Sequence, residues 1–348
     1  MAQTKELLIQ HVRAYPRLQI QDVFKFIHQS AFGCEHLVTS LENATARIES
    51  EFRAGVRQAQ IEPLDSAYCR VPLWLLKGGL QAETLGRLFV LSARQEENGR
   101  SALQEKLEIA GELAREGVLP FDAAVFEAEA ARWEAEGYPA VRHSDVFREA
   151  YHPAYRVIAS QFIPFLPLLS ALDKLPREKR TVIAIDGGSG SGKTTLSRLL
   201  QQLYPCTVFH MDDFFLRPEQ RTAERYAEIG GNVDRERVLA EILLPLERGE
   251  TITYRSFDCA TMTLGDAKQV SPQKLVILEG AYAMHPALAE FYDFSVFLDI
   301  DPALQRQRIL HRNGSETAQQ FFTRWIPLEN AYFDKTGIKQ RCDMTIQI

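Results

Sequence analysis

The sequence is poor in the features that mark secreted, zinc-stabilised and membrane proteins. Its 348 residues include only five cysteines, an odd number without a CxxC pair, so neither a disulfide framework nor a zinc site is expected. A membrane-spanning helix needs about 20 apolar residues. One of the longest apolar stretches, residues 162–172, is short and is broken by prolines. The N-terminus lacks the basic and then apolar layout of a secretion signal. We therefore expect a reduced, cytoplasmic protein with no membrane partner.

An excess of positive charge is also missing. Lysine and arginine number 40 against 46 aspartates and glutamates, a net charge of −6. Because non-specific nucleic-acid binders are usually basic, no nucleic-acid partner is expected. An acidic protein can still bind phosphate locally, through backbone amides and single side chains. The content of 45% hydrophobic and 25% charged residues is that of a globular protein, which excludes a disordered or fibrous chain.

The length favours two domains, and the two halves of the chain differ in pattern. In the first half, apolar residues recur with a helical period, as over residues 103–113, and residues 121–133 are rich in alanine and glutamate. A stretch with several prolines and many charges follows between residues 162 and 180. We predict a mostly α-helical domain over residues 1–170 and a second domain over residues 171–348.

Short β-branched runs alternate with helical patterns in the second half. Continuous apolar runs between turns are typical of strands that are buried on both faces. The alternation predicts an α/β domain with a parallel sheet flanked by helices and right-handed crossovers. Ligands bind such sheets beyond the carboxyl ends of the strands. The predicted strands are residues 181–185, 207–209, 275–278, 295–300 and 344–346.

The strongest motif follows the first of these strands. Residues 187–195 read GGSGSGKTT and contain the full GxxxxGK[ST] pattern between a strand and a helix. Glycines let successive amides point at a polyphosphate, and the helix start adds its positive dipole end. A lysine supplies a mobile positive charge, and a threonine hydroxyl suits Mg²⁺. We expect ATP and Mg²⁺ as cofactors, with GTP left open as the donor. The predicted cofactor-binding residues are Gly188, Ser189, Gly190, Ser191, Gly192, Lys193, Thr194 and Thr195.

Carboxylates follow two further predicted strands: Asp212 and Asp213 after one, and Glu279 after the other. An acid at the carboxyl end of a strand can accept a proton from a hydroxyl group or help to hold Mg²⁺. Adjacent aspartates point in different directions, so at most one is expected to be a base. Thr194, Asp212 and Glu279 are the candidate metal-associated residues. Capping of the following helix or loop is the alternative role for the acids.

A predicted helix that begins after Asp301 carries Arg306, Arg308 and Arg312. Guanidinium groups at this position can close over a transferring phosphoryl group and offset its charge. The alternative for each is an ordinary surface arginine. The sequence does not say which of the three contacts phosphate.

With these motifs, residues from about 180 to 348 resemble the phosphoribulokinase/uridine kinase family, within the P-loop nucleoside kinase-like fold. The resemblance rests on the phosphate loop, on the DDFF segment at 212–215, on LEG at 278–280 and on the arginine helix. Residues 210–218 (HMDDFFLRP) are even more similar to nicotinamide riboside kinases. The resemblance implies transfer of the γ-phosphoryl group of ATP to a hydroxyl of a uridine-like nucleoside or a related small metabolite. It implies that Asp212 is the base and that the arginine helix belongs to a lid. The implied catalytic residues are Asp212, Lys193, Arg306, Arg308 and Arg312.

The region expected to bind the acceptor departs from uridine kinases. Residues 254–261 read YRSFDCAT, whereas uridine kinases carry Tyr-Asp-Phe followed closely by Thr-His, and the histidine is missing here. Residues 230–234 (GGNVD) correspond to a loop that contacts the acceptor in the family. Ordinary turns and hairpins are the alternative for both segments. The candidate substrate-binding residues are Asp212, Phe214, Tyr254 and Asp258.

Other interpretations stay open. The protein could phosphorylate a non-nucleoside acceptor, or it could be a nucleotide-dependent switch whose helical half contacts a partner. The first half resembles no family whose function we can state. Its histidines and a glutamate would allow a metal site, although structural histidines are the default expectation. The role of residues 1–170 and homo-oligomerisation are left open. The residues considered for the metal site are His28, Glu35, His36 and His143.

Overall fold

A computed structural model of the chain shows two compact units, Met1–Lys174 and Leu175–Ile348. The division falls inside the proline-rich and charged stretch, close to the boundary predicted between residues 170 and 171. Within the described parts of the chain, no helix is both long and apolar enough to cross a membrane. The structure describes residues 2–34, 40–93, 99–176 and 178–348.

The first unit is mostly helical, as predicted. Side-chain caps begin several of its helices: Ser40, Asp122 and Ser144 each accept a hydrogen bond from the backbone amide three residues later. Each cap fixes the start of a helix whose apolar side packs into the core of the unit. The helices are α1 Ala2–Ala14, α2 Ile20–Phe32, α3 Leu41–Arg53, α4 Ala82–Ser92, α5 Gly99–Arg115, α6 Ala123–Ala135, α7 Asp145–Tyr151 and α8 Leu166–Asp173.

A small antiparallel sheet, which the sequence analysis did not predict, also belongs to the first unit. Its strands lie in the order β1-β2-β3. Strand β2 is buried along its whole length, so its residues show no alternation of apolar and polar types. Arg70 in β2 and Arg156 in β3 are charged but buried, so the residue types of these strands do not indicate burial. The strands are β1 Glu62–Pro63, β2 Tyr68–Pro72 and β3 Tyr155–Ala159.

All five predicted strands of the second unit are present, and they form one parallel sheet. The order is β10-β9-β4-β8-β5, and all seven residues of the central strand β4 are buried. The predicted α/β class is therefore confirmed. A separate two-stranded hairpin, β6 with β7, joins the same unit. The strands are β4 Thr181–Gly187, β5 Cys206–His210, β6 Ile252–Asp258, β7 Thr263–Val270, β8 Leu275–Glu279, β9 Phe294–Asp299 and β10 Met344–Gln347.

Helices flank this sheet. Helix α9 buries Leu196, Leu199, Leu200 and Leu203, a helical spacing that aligns the leucines on one side. Helix α13 contains a kink at Gly314, whose φ of 70° and ψ of 167° are not helical. The helices are α9 Lys193–Leu203, α10 Ala223–Ala227, α11 Arg235–Arg237, α12 Leu244–Arg248, α13 Pro302–Gln320, α14 Ile326–Thr336 and α15 Ile338–Arg341.

The histidines considered for a metal site in the first unit have other surroundings. His28 is buried and packs against Phe32, and His143 pairs with Asp22. Glu35 and His36 lie outside the described residues. The described ranges contain no group of three or more His, Cys, Asp or Glu side chains arranged to hold a metal ion.

Candidate active site

The phosphate loop connects β4 to α9 through backbone conformations that favour glycine. Gly187, Gly190 and Gly192 have φ values of 145°, 77° and 95°. A Cβ atom at Gly187 would lie 2.5 Å from the carbonyl oxygen of Leu298 on the neighbouring strand. Helix α9 begins directly after Gly192, so its first amides face the loop.

The loop fits a polyphosphate by its chemistry. The Lys193 ammonium donates to the carbonyl oxygens of Gly187 at 2.8 Å and Gly188 at 3.0 Å, which holds the amine at the loop. The Ser191 hydroxyl is buried and has no hydrogen-bond partner within the described residues. A buried hydroxyl beside a glycine-rich turn and a lysine suits an anionic ligand with several oxygen atoms.

A buried carboxylate, Asp186, supports the loop from behind. It accepts hydrogen bonds from the amides of Gly187 at 2.7 Å, Tyr282 at 3.2 Å and Met284 at 2.9 Å, and from the Tyr332 hydroxyl at 2.9 Å. Burial raises the pKa of Asp186 to about 6 despite these hydrogen bonds. Asp186 therefore ties the loop to the segment after β8 and to α14. Sequence reasoning missed this role, although the position of Asp186 directly before the loop was a usable signal.

Two further residues that sequence reasoning missed hold Ser189. The carboxylate of Glu329 accepts from the Ser189 amide at 2.9 Å and from its hydroxyl at 2.6 Å. The Gln305 side-chain amide donates to the Ser189 carbonyl at 2.8 Å. Burial raises the pKa of Glu329. No local motif marks either residue, because each acts on the loop from a distant part of the chain.

The carboxyl end of β8 brings a second acid to the loop. Glu279 Oε1 accepts from the Thr194 hydroxyl at 3.0 Å and lies 2.6 Å from His210 Nδ1 on β5. This hydrogen bond to Glu279 raises the pKa of His210. A hydroxyl and a carboxylate side by side offer the hard oxygen ligands that Mg²⁺ prefers, so the donor set fits this ion. Two of the three candidate metal-associated residues, Thr194 and Glu279, are therefore in contact.

The third, Asp212, lies on a short 3₁₀ turn, Met211–Phe214, that follows β5. Its side chain is exposed, yet nearby protein atoms reduce its hydration, and this loss raises its pKa. The positive charges of Lys193 and His210 partly oppose the shift, and the charge of Glu279 adds to it. Asp212 is therefore an open carboxylate within electrostatic reach of the phosphate loop. Burial, together with the charge and side-chain hydrogen bonding of the adjacent Asp213, raises the pKa of Tyr254.

The predicted acceptor contacts have different environments. Phe214 is completely buried, and Tyr254, 8% exposed, stacks on it with ring centroids 5.8 Å apart. Asp258 is exposed at the end of β6, where its carboxylate accepts from the amide of Ala260 at 2.7 Å. Burial raises the pKa of Cys259, and the charge of Asp212 adds to this rise, so the tip of the hairpin lies near the candidate base. The substrate-binding roles of Phe214, Tyr254 and Asp258 stay predictions.

The segment at 230–234 also lies beside the candidate base. The Asp234 amide donates to the carbonyl of Phe214 at 2.7 Å, at the last residue of the turn that carries Asp212. The Asp234 carboxylate caps α11 by accepting from the Arg237 amide at 3.2 Å. Gly231 is closely packed, because a Cβ atom there would lie 1.9 Å from the Arg225 carbonyl oxygen. The segment has a structural role beside the Asp212 turn, and contact with an acceptor stays a prediction.

The three arginines of α13 have different partners. Arg308 Nη1 donates to the Gly190 carbonyl at 3.2 Å and is the one that contacts the phosphate loop. Arg306 stacks on Phe322, with its guanidinium carbon 4.2 Å from the ring centroid. Arg312 donates to the Asn313 side chain at 2.9 Å. All three side chains are exposed.

Comparison with known proteins points to one family. The sequence model of the Phosphoribulokinase / Uridine kinase family matches residues 182–320. A uridine kinase of Macrococcus caseolyticus is 26% identical over 185 residues, which cover 48% of this chain and 88% of that protein. A uridine kinase of Ligilactobacillus salivarius is 29% identical over 146 residues, covering 40% of this chain and 68% of that protein. A solved structure described as a "Possible Uridine Kinase" from Bacillus stearothermophilus covers 53% of this chain and 98% of its own, with 23% identity and a TM-score of 0.43. Residues 182–320, in the C-terminal half of the chain, therefore match the phosphoribulokinase/uridine kinase family, which confirms the resemblance seen in the sequence.

Proposed function

We propose that the second unit transfers the γ-phosphoryl group of ATP to a hydroxyl group of a small metabolite, with a nucleoside as the first candidate acceptor. One observation carries the proposal: the exposed carboxylate of Asp212 lies within electrostatic reach of Lys193 and Glu279 at the phosphate loop. A loop that only sensed a nucleotide would not need an open base on this side. The relatives described as uridine kinases make a nucleoside the natural first acceptor to test.

The loop amides and Lys193 would hold the phosphates, and Thr194 and Glu279 would hold Mg²⁺, directly or through water. Bound Mg²⁺ supplies positive charge that offsets the negative charge of the phosphate oxygens. His210 keeps Glu279 oriented through its 2.6 Å contact. Asp186 binds the amide of Gly187 and Glu329 binds the amide of Ser189, so the first part of the loop is already oriented before ligand arrives.

Asp212 acts on the acceptor. Its carboxylate orients the attacking hydroxyl and takes the hydroxyl proton as the new O–P bond forms and the bond to the leaving ADP oxygen breaks. Arg308 adds positive charge beside Gly190, where it stabilises charge on the transferring group. Positioning and electrostatics contribute most of the acceleration in such a site.

An acceptor screen tests the proposal. The full chain is incubated with Mg-ATP and a panel of nucleosides, sugars and other hydroxyl-bearing metabolites, and ADP release and phosphorylated product are measured. We expect ADP to be released only when an acceptor of one chemical class is present. Slow acceptor-independent hydrolysis that a protein partner accelerates would support a nucleotide switch instead.

Substitution of Asp212 tests the assignment of the base. Asp212→Asn is expected to lower the rate of phosphoryl transfer by a factor on the order of 10² to 10⁴, because general-base catalysis is lost. Thermal stabilisation by Mg-ATP should remain, since the loop is untouched. Asp213→Asn is the matched control. It should lower the rate of phosphoryl transfer much less, because Asp213 interacts with Tyr254 instead. Full activity of Asp212→Asn would disprove the role of Asp212.

A further inference from the structure

Arg221 differs from the arginines that lie near it in the chain. Residues 217–237 contain five arginines, and each of the other four forms an ion pair with a glutamate. Arg221 has no ion-pair partner within the residues that the structure describes. Its positive charge is therefore available to an anion from solution. The four ion pairs are Arg217–Glu219, Arg225–Glu236, Arg235–Glu228 and Arg237–Glu241.

The side chain of Arg221 is held in place and still reaches solvent, since the residue is partly exposed. Its Nε donates to the carbonyl oxygen of Leu216 at 3.0 Å, and its guanidinium carbon lies over the Phe257 ring, 5.5 Å from the centroid. Nη1 and Nη2 have no hydrogen-bond partner among the described residues, and neither is fully buried. Arg221 therefore offers two accessible donor nitrogens and loses little conformational freedom when it binds a ligand.

These contacts place Arg221 beside the candidate base. Leu216 lies two residues after the turn that carries Asp212, and Phe257 lies on β6, which packs against this turn. Cys259, two residues beyond Phe257, is exposed. Burial raises the pKa of Cys259, the positive charge of Arg221 opposes this rise, and the negative charge of Asp212 adds to it. An unpaired cation and the candidate base therefore lie near the same thiol.

The single positive charge of Arg221 selects the kind of anion. A carboxylate carries one negative charge, and its two oxygens can accept from both terminal nitrogens of a guanidinium group. A phosphate group carries about −1.5 to −2 at pH 7. Part of that charge would stay uncompensated beside Asp212 and would be repelled. The site therefore favours a carboxylate over a phosphate group.

We propose that Arg221 binds a carboxylate group of the acceptor while Asp212 receives the acceptor hydroxyl, so that the substrate is a hydroxyl-bearing carboxylic acid. This inference rests on the proposed kinase function and narrows the acceptor to a nucleoside or smaller metabolite that carries a carboxylate. A purely structural role, joining the hairpin to the segment after the Asp212 turn, would use Nε and the stacked face of the guanidinium group. It would leave Nη1 and Nη2 without a function.

Matched acceptor pairs test the proposal. The full chain is assayed with Mg-ATP and with orotidine or uridine, which differ by one carboxylate group, and with glycerate or glycerol as a smaller pair. We expect the carboxylated member to have a higher kcat/KM, on the order of tenfold or more. Ribose 5-phosphate and ribose form the pair that tests a phosphate group. Preference for ribose 5-phosphate, or for the neutral members, would overturn the proposal.

Variants of Arg221 then assign the effect to this side chain. Arg221→Gln should raise the KM of the carboxylated acceptor on the order of tenfold to a hundredfold and change kcat little, because a charge-assisted hydrogen bond is lost. Arg221→Lys keeps the charge and should recover part of the affinity. Arg255→Gln is the matched control, since this exposed arginine lies on the same strand as Phe257. Equal KM values in all variants would refute the role of Arg221.

Alkylation of Cys259 gives a readout that does not depend on phosphoryl transfer. Cys259 is exposed, and its reaction with iodoacetate and with iodoacetamide is followed by mass spectrometry of its peptide. Both reagents attack the same thiol and only iodoacetate carries a carboxylate, so the ratio of the two rates cancels any change in thiol reactivity or exposure. We expect Arg221→Gln to lower this ratio several-fold and Arg255→Gln to leave it unchanged. An unchanged ratio in Arg221→Gln would overturn the carboxylate site.

The two readouts separate this inference from the proposed function. A lower alkylation ratio in Arg221→Gln, without phosphorylation of any acceptor, would support the carboxylate site and count against the kinase. Phosphorylation of a neutral acceptor at a rate that Arg221→Gln leaves unchanged would support the kinase and refute the carboxylate site.

Discussion

At the scale of single residues, the Asp22–His143 pair links the stability of the first unit to pH. Burial lowers the pKa of His143 to about 4 from an ordinary value of 6.5. Burial would raise the pKa of Asp22, but hydrogen bonds from His143, Ser144 and Gln19 lower it to about 2. The folded state therefore resists protonation at both sites, whereas the unfolded chain accepts protons at ordinary pKa values.

We predict that the first unit loses stability as the pH falls from 6.5 to 4, because the unfolded state takes up the His143 proton first. The loss from His143 is about 3 kcal/mol, from its shift to about 4. Hydrogen exchange of α2 and β2, followed by mass spectrometry at several pH values, measures it. His143→Gln should flatten the dependence over this range. The exposed His311 provides the control, and an equal effect of His311→Gln would contradict the assignment.

The second unit contains a buried acid with the opposite effect. The pKa of Asp186 is raised to about 6, so the folded state binds a proton more readily than the unfolded chain does. The raised pKa adds to the free energy of unfolding of the second unit. This stabilisation is fully present below the ordinary pKa of 3.8 and is lost as the pH rises through 6. Unfolding must therefore be followed separately in the two units, because one probe would average opposite trends.

At the scale of secondary-structure elements, the end of β8 packs so closely against the Asp212 turn that a larger side chain should not fit between them. Gly280 has a φ of 146°, and a Cβ atom there would lie 2.4 Å from Met211 Cβ. We predict that Gly280→Ala costs about 1–3 kcal/mol and also lowers phosphoryl transfer, because Met211 begins the turn that carries Asp212. Thermal unfolding and the transfer rate measure the two effects.

Gly265→Ala in β7 is the control for this substitution. Its Cβ atom would meet its nearest neighbour, the Ser256 carbonyl oxygen, at an ordinary 3.5 Å. Equal losses for the two variants would mean that the contact between Gly280 and Met211 has no special role.

Helix α13 offers a second comparison between neighbouring residues. We predict that Arg308→Gln lowers phosphoryl transfer on the order of tenfold to a hundredfold, because a positive charge at Gly190 is lost. Arg306→Gln should change it little, since Arg306 stacks on Phe322. Transfer rates at saturating Mg-ATP measure both. A larger loss for Arg306→Gln would place the active arginine elsewhere on the helix.

The sequence was sufficient to predict the features that depend on neighbouring residues. The five parallel strands, the phosphate loop and the acids at the carboxyl ends of β5 and β8 all follow from short continuous patterns. Asp186, Gln305 and Glu329 were missed because their partners come from distant parts of the chain, which only the fold brings together. Likewise, the sequence could not separate Arg308 from its neighbours, since its contact with Gly190 is tertiary.

At the scale of the whole molecule, the two compact units should be separable. The second unit has its own buried core, which includes Phe209, Phe214 and Val276. We predict that a fragment spanning Leu175–Ile348 folds cooperatively and shows the same thermal stabilisation by Mg-ATP that we expect of the full chain. Calorimetry of the fragment and the full chain, with and without Mg-ATP, measures the cooperativity of unfolding and the shift in unfolding temperature. A fragment that is unfolded, or that no longer responds to Mg-ATP, would show that the predicted domain boundary is wrong.

The β2–β3 pair has a consequence for how the protein is made. Tyr68 lies opposite Ala159, so β2 gains its partner only after nearly all of the first unit has been synthesised. Until then the nascent chain carries a strand that is buried in the folded unit but has one unpaired edge, a state that favours aggregation. Ribosome pausing after residue 159 has emerged would favour correct folding, and pausing before it would increase the need for chaperones.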